Sequence, residues 1–205
     1  MQKRWKWWVS LLLSLTLLLA GCGAAKTADN TAASTSSSAQ GSAKAAVQTS
    51  VPQGTISIKM LDVGQGDAIL IQTQEQTVLI DTSDVDERDK LRAQLAKAGV
   101  KKIDKVILTH PHADHIGGMK AVLNRFPVKQ VYDSGQNYKT KMYNDFRLQI
   151  EKEQIPFEVL RGGQEVPVNE MVKLKVLSPQ ALYKGTPSDT NNNSLVLRLE
   201  YKDFA

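Results

Sequence analysis

Cysteine is almost absent from this 205-residue sequence, and Cys22 is its one example. A single thiol cannot form an intrachain disulfide or build a zinc site of the Cys₄ type. Net charge is also small, because 26 basic and 21 acidic residues give +5. Lys3, Arg4 and Lys6 precede any folded domain, and without residues 1–21 the balance is 23 to 21. A net charge of that size does not by itself indicate a nucleic-acid-binding surface.

Long apolar runs are missing as well. The run from Val9 to Ala20 has twelve residues, whereas a helix needs about 20 to cross a bilayer. Three cations precede this run. Its last two residues and the next two read Leu19-Ala20-Gly21-Cys22, which resembles a bacterial lipobox. We therefore predict that residues 1–22 are a lipoprotein signal peptide and that lipidated Cys22 anchors the protein at the extracellular face of the cell membrane. An ordinary signal peptide, or an uncleaved anchor with an incidental cysteine, is the alternative.

Residues 23–54 consist mostly of Ala, Ser, Thr, Gln and Gly. Such a segment buries too little apolar surface to offset the entropy that it would lose on ordering. We predict a disordered linker over 23–54 and a folded domain over 55–205.

The apolar residues of the folded part alternate in some segments and recur at helical spacing in others, which predicts an α/β domain. Its first three strands are joined by short turns, so we expect an antiparallel meander. The predicted strands cover residues 55–63, 68–73, 77–82, 103–108, 128–132, 157–160, 172–177 and 194–201, and the predicted helices cover 86–98, 119–126 and 141–154.

All three histidines fall in one short segment directly after a predicted strand. His110, His112 and His115 lie at i, i+2 and i+5, and Asp114 precedes the last of them. A lone histidine is usually a surface or core residue, but three imidazoles and a carboxylate in one loop indicate a metal site. In this hypothesis His110 and His112 hold one ion, while Asp114 and His115 hold a second. Nitrogen and carboxylate ligands without thiolate suit Zn²⁺, Mn²⁺ or Fe.

Three motifs carry a family resemblance, namely residues 61–68 (LDVGQGDA), 109–118 (THPHADHIGG) and 192–199 (NNSLVLRL). In this order they resemble the metallo-β-lactamase fold superfamily, and within it the stand-alone lipoprotein form of the ComEC-type competence-protein branch. The resemblance implies an αββα sandwich of which the N-terminal half to two-thirds is present. The family's Gly-Asp motif, whose aspartate bridges two metals, does not occur after the last strand. We therefore expect a C-terminally truncated domain with an incomplete second metal site.

The resemblance also implies roles for single residues. Asp81 corresponds to the acid that braces the histidine loop, and Asp81 and Asp114 are the predicted catalytic residues. Asp67 is predicted to bind substrate. Asn192, Asn193 and Ser194 stand where many relatives place a third histidine, so an amide, a hydroxyl or water is predicted to complete the first metal site. Asn192 and Ser194 are also predicted to bind substrate. A plain turn aspartate at position 67 or 81 and an ordinary loop asparagine at position 192 remain alternatives.

The implied activity is hydrolysis by a hydroxide held between two divalent ions, Zn or Mn, which attacks a phosphorus or carbonyl centre. Relatives of this branch suggest a nuclease or phosphodiesterase that acts on DNA during DNA uptake. A β-lactam, lactone or thioester hydrolase would use the same ligands, and a non-catalytic DNA- or ligand-binding surface module is the alternative. Cations and aromatic rings around the metal loop suit a single strand, although scattered lysines usually serve only solvation. These side chains are Lys101, Lys102, Lys105, Lys120, Arg125, Lys129, Lys139, Lys141 and Arg147, with Tyr132, Tyr138 and Tyr143.

Overall fold

The computed structural model describes residues 51–204, which form two β-sheets and a layer of helices. The strands are β1 (Ser57–Met60), β2 (Ile69–Gln72), β3 (Thr77–Ile80), β4 (Lys105–Ile107), β5 (Val131–Asp133), β6 (Phe157–Val159), β7 (Glu165–Pro167), β8 (Val172–Ser178) and β9 (Val196–Tyr201). The helices are α1 (Arg88–Lys97), α2 (Ala113–Ile116), α3 (Met119–Arg125), α4 (Lys141–Lys152) and α5 (Asp189–Asn192).

The larger sheet has the strand order β1-β2-β3-β4-β5-β6. β1, β2 and β3 pair in antiparallel fashion, as predicted, with eight residues between β1 and β2 and four between β2 and β3. β3 to β6 run parallel, and helices make the crossovers that parallel pairing requires. The carboxyl ends of β3, β4 and β5 therefore meet at one edge of the sheet.

One face of this sheet packs against α1, α3 and α4. Leu79 and Val106 of the sheet join Leu91 and Leu95 of α1 and Phe146 of α4 in a single buried cluster. The helical pair Leu91 and Leu95 lies four residues apart, so both side chains point at the sheet. Burial of each such side chain contributes about 1.5–3 kcal/mol to the stability of the fold.

The other face of the larger sheet packs against the sheet β7-β8-β9. Val78 and Ile107 of the larger sheet meet Val172, Leu174 and Val176, which alternate along β8 with a period of two. Within residues 51–204 the layers are therefore helix, sheet and sheet. The predicted α/β class is confirmed.

Short elements account for most differences from the predicted pattern. β7 was not predicted because it has three residues, of which Val166 alone is buried. α2 and α5 have four residues each and were missed for the same reason. The strand predicted over 128–132 begins at Val131, and Val128 forms an isolated bridge with Ile103.

The predicted signal peptide, Cys22 and nearly all of the predicted linker lie outside the described residues. At the end of the linker, the amide of Thr55 donates to the carbonyl of Pro52 at 3.1 Å. The hydroxyl of Tyr201 donates to the carbonyl of Gly54. In the described part of the chain, no helix combines the length and hydropathy needed to cross a membrane.

Candidate metal centre

The histidine loop lies at the carboxyl edge of the parallel strands. The amide of Asp81, which follows β3, donates to the carbonyl of Ile107 at the end of β4. The amide of Leu108 donates to the carbonyl of Tyr132 in β5. This pairing brings Asp81 beside the loop that begins at Thr109, although the two are 28 residues apart in sequence.

The Asp81 carboxylate binds both ends of the loop. Its Oδ1 accepts a hydrogen bond from the Thr109 amide at 2.7 Å, and its Oδ2 accepts one from the Thr109 hydroxyl at 2.7 Å. Oδ2 also lies 2.8 Å from Nδ1 of His115. Burial raises the pKa of Asp81, against the hydrogen bonds from His115 and Thr109 that favour its charged form.

The three imidazoles converge at this edge. The ring centroids of His110 and His115 are 4.0 Å apart, and those of His110 and His112 are 4.9 Å apart. Burial and the neighbouring imidazoles lower the pKa of His110 to about 4. Burial acts in the same direction on His115, but the Asp81 carboxylate outweighs it and raises the pKa of His115. At neutral pH His110 is therefore an uncharged imidazole, the form that binds metals.

His110 and His115 both have a hydrogen-bond partner at Nδ1, which leaves Nε2 of each ring for a metal. Nδ1 of His115 faces Asp81 at 2.8 Å, and Nδ1 of His110 lies 3.1 Å from the Thr109 hydroxyl. Nε2 is thus the ligand atom that each ring offers. A metal-binding histidine characteristically donates its other ring N–H to a carboxylate, so this arrangement fits a metal site.

Two further carboxylates border the imidazoles. Oδ2 of Asp114 lies 3.6 Å from Nε2 of His115, and Oδ2 of Asp67 lies 3.9 Å from its Nδ1. Asp67, Asp81 and His115 offer ligand atoms within 4.8 Å of one another, a group able to hold a metal ion. Because Asp81 is committed to Thr109 and to Nδ1 of His115, the side of that ring that could hold a metal ion is the Nε2 side, next to Asp114.

A backbone contact holds the Gly-Gln-Gly-Asp turn against the histidine loop. The amide of Asp67 donates to the carbonyl of Asp114 at 3.1 Å, and the amide of Ser83 donates to the carbonyl of Asp67 at 2.8 Å. Gly66 has φ +96°, and a Cβ built on it would lie 2.1 Å from the Asp114 carbonyl oxygen. Only glycine fits that position without displacing the loop.

The third motif lies next to the loop through its backbone. The amide of Leu195 donates to the carbonyl of Thr109 at 2.9 Å, which places the preceding residue, Ser194, near the start of the histidine loop. Asn192 lies in α5, and its side chain donates to the Thr186 hydroxyl at 3.3 Å. The buried Asn193 uses its side-chain oxygen and nitrogen on the backbone of Tyr183, at 2.6 and 3.1 Å. Asn193 is therefore a structural residue, and the strand predicted from position 194 begins at Val196.

The predicted basic and aromatic side chains divide between the two edges of the sheet. Lys102 and Lys129 both pair with Asp104, at 2.9 and 2.8 Å, ahead of β4 and β5 and therefore at the edge opposite the histidines. Tyr138, in contrast, places its ring 5.7 Å from that of His112. Tyr143 is buried and donates to Asp133 at 3.0 Å.

Thr109 is the residue that the sequence reasoning missed. Its position before the first histidine gave no indication of a role, because its partner Asp81 becomes a neighbour only through the pairing of β3 with β4.

Comparison with known proteins identifies the family. The family model of the Metallo-beta-lactamase superfamily matches residues 61–176, which is more than half of the sequence. The chain belongs to this superfamily. The prediction from the three motifs is confirmed.

Curated relatives support the ComEC-type branch. ComE operon protein 3 of Bacillus subtilis is 30% identical over 162 residues, which cover 70% of this chain and 20% of that protein. Competence protein ComA of Neisseria gonorrhoeae is 27% identical over 129 residues, which cover 62% of this chain and 18% of that protein. The chain thus spans about a fifth of the length of these relatives.

Solved structures show the same fold. The metallo-beta-lactamase GOB-18 of Elizabethkingia meningoseptica superposes with a TM-score of 0.50 at 18% identity, over 71% of this chain and 54% of that chain. At that identity the likeness shows the fold of the superfamily and not the substrate.

Proposed function

We propose that this metallo-hydrolase superfamily member is a metal-dependent nuclease or phosphodiesterase that acts on DNA. One observation carries the proposal: three imidazoles converge on one side of a carboxylate-braced loop, with Asp114 beside them. The predicted ligands are His110 and His112 for one ion, and Asp114 and His115 for the other. When bound, Zn²⁺ or Mn²⁺ ions supply an activated water and stabilise the charge that develops on a phosphate.

The protein's own residues orient the metal ligands, transfer the proton of the attacking water and bind the substrate. Asp81 fixes the His115 ring with Nδ1 toward the carboxylate, so that Nε2 faces the site. Asp114, whose side chain is 36% exposed, can accept a proton from the attacking water and return it to the leaving group. Tyr138 lies edge-on to His112, where its ring face can bind an unstacked base.

The resemblance to the competence branch supports DNA as the substrate. Lys139 follows Tyr138 directly and Lys141 comes two residues later, where it forms an ion pair with Asp145 at 2.5 Å. Cations beside an aromatic ring suit a single strand, because the cations bind phosphates and the ring binds a base of any kind.

A test compares the protein with its His112→Ala variant in two assays: metal content after dialysis, and cleavage of single-stranded DNA. We expect the variant to lose tight metal binding and at least a hundredfold in rate, because one ligand of the first ion is gone. Asn137→Ala, an exposed position near Tyr138, is the control. Unchanged metal content in His112→Ala would contradict the ligand assignment.

The alternative is a non-catalytic DNA- or ligand-binding module, and the third motif favours it. Both polar atoms of Asn193 are engaged by the Tyr183 backbone, so this residue does not replace the third histidine of relatives. Bound metal without cleavage in the test above, together with binding of single-stranded DNA measured by fluorescence anisotropy, would establish this alternative in place of the nuclease.

We also propose that Cys22 is lipidated and holds the domain at the extracellular face of the membrane. The lipobox-like sequence and the Ala/Ser/Thr-rich segment after it support this proposal. A diacylglyceryl group would provide two chains, enough for stable anchoring.

A further inference from the structure

A cavity of about 520 Å³ lies beside the histidine loop, between α4 and the start of α3. Its lining includes Ile116 and Met119 on one side and Met142 and Phe146 of α4 on the other. Its volume falls in the range of sites that bind small organic molecules, about 300–1,000 Å³. None of these apolar side chains has a role in the metal centre.

Two parts of the cavity lining lie close in sequence to residues of the metal centre. Ile116 and Gly117 in its wall directly follow His115, so the wall begins within about 8 Å of the His115 backbone. On the other side, Lys141 comes three residues after Tyr138, whose ring lies 5.7 Å from that of His112.

The lining is also positively charged. It contains three cations, Arg88, Lys120 and Lys141, and one carboxylate, Asp145. Arg88 donates to the Gly117 carbonyl at 2.6 Å, and Lys141 pairs with Asp145 at 2.5 Å. Lys120 is exposed in the first turn of α3, where its ammonium group can reach a ligand phosphate.

We propose that this cavity is a nucleotide subsite, which binds the nucleotide next to the scissile phosphodiester of a single strand. The proposal rests on the proposed function. A nucleotide joins a flat aromatic base to an anionic phosphate. The partly exposed thioether of Met142 offers the base an apolar contact surface, and Lys120 offers the phosphate a cation.

The test measures the affinity of the protein for a fluorescein-labelled thymidine octamer by anisotropy. Two variants alter the cavity: Lys120→Gln removes the cation, and Met142→Trp fills the apolar part. Their matched controls are Lys152→Gln and Leu148→Trp, at exposed positions of α4 outside the cavity lining. We expect both cavity variants to bind about tenfold more weakly and both controls to stay within twofold.

Salt dependence separates a phosphate contact from a general loss of structure. Removal of one phosphate contact to a single strand lowers the slope of log K against log salt by about 0.7. We expect this change for Lys120→Gln and not for Met142→Trp. A second assay measures hydrolysis with Mn²⁺ of the octamer and of bis(p-nitrophenyl) phosphate. We expect the ratio of the two kcat/KM values, octamer over small diester, to fall about tenfold in both cavity variants. The reason is that the small diester does not extend into the cavity.

The outcomes separate this inference from the proposed function. Cleavage of the octamer with unchanged affinity in both cavity variants overturns the subsite alone. Octamer binding that depends on Lys120 and Met142, without any cleavage, supports the subsite and overturns the nuclease. An unmodified protein that does not bind the octamer overturns both. Binding of anionic phospholipid vesicles in place of the octamer, with dependence on Lys120, assigns the cavity to a lipid and also overturns the subsite.

Discussion

Both carboxylate oxygens of Asp81 accept hydrogen bonds from Thr109, one from its amide and one from its hydroxyl, each at 2.7 Å. The same carboxylate lies 2.8 Å from Nδ1 of His115, five residues beyond the first histidine. One buried side chain thus ties both ends of the histidine loop to the end of β3. The positions of the candidate ligands therefore depend on the sheet and not on the loop alone.

Asp81→Asn should weaken this attachment. An amide places an NH₂ group opposite hydrogen-bond donors, so at least one buried bond is lost. We expect the free energy of unfolding to fall by about 1–3 kcal/mol and the bound metal to decrease, as measured by urea denaturation and by metal analysis. Asp86→Asn, at an exposed position, is the control. A variant that retains its full metal content would refute the bracing role.

Gly66→Ala should disturb the histidine loop through the Asp114 carbonyl, which the new Cβ would approach to 2.1 Å. Gly163→Ala is a matched control, because Gly163 has φ +94° but no atom within 4 Å of its added Cβ. We expect the control to lose about 1 kcal/mol from the left-handed backbone alone. Gly66→Ala should lose a further ~1–3 kcal/mol and bind metal more weakly. Equal losses in the two variants would show that the contact with Asp114 is unimportant.

The acid dependence of stability should reveal the ion pairs that the buried Asp104 carboxylate forms with two exposed lysines. Burial acts to raise its pKa, but Lys129, Lys102 and the Thr77 amide outweigh burial and lower the pKa from 3.8 to about 2. Because the folded-state pKa is depressed, the charged form stabilises the fold above pH 4, and this contribution disappears as the pH falls toward 2. This contribution to the free energy of unfolding is at most about 2 kcal/mol, because solvent screens the exposed ammonium groups of Lys102 and Lys129.

Asp104→Asn tests this interpretation by urea denaturation at pH 7, 4 and 2.5. We expect the variant to be less stable than the unmodified protein at pH 7, and the difference to shrink as the pH falls. Asp89→Asn is the control, because Asp89 forms an exposed ion pair with Arg92 and such pairs contribute little. A difference between the proteins that grows in acid would contradict the assignment.

Cys22→Ser tests the predicted anchor, which lies outside the described residues. We expect the variant to leave the membrane fraction or to remain unprocessed, because no thiol is available for lipidation. Cell fractionation and the mass of the mature N-terminus measure the two effects, with Ser36→Ala in the predicted linker as the control. Unaltered fractionation and mass would refute the lipoprotein prediction.

The sequence by itself determined the candidate ligands and the family. His110, His112, Asp114 and His115 are close in the chain, so the sequence alone identifies them as one group of candidate ligands. The antiparallel meander was predictable for the same reason, since its register depends on short turns and a period of two. Helices with a clear apolar repeat, such as α4, were placed to within two residues.

Only the tertiary structure decided the relationships between distant segments. It placed Thr109 against Asp81, moved Lys102 and Lys129 to the edge opposite the histidines, and assigned Asn193 to the backbone of Tyr183. It also formed the cavity between α3 and α4. The physical reason is that each of these contacts joins residues that strand pairing or helix packing brings together, and periodicity along the chain carries no information about which segments pack against each other.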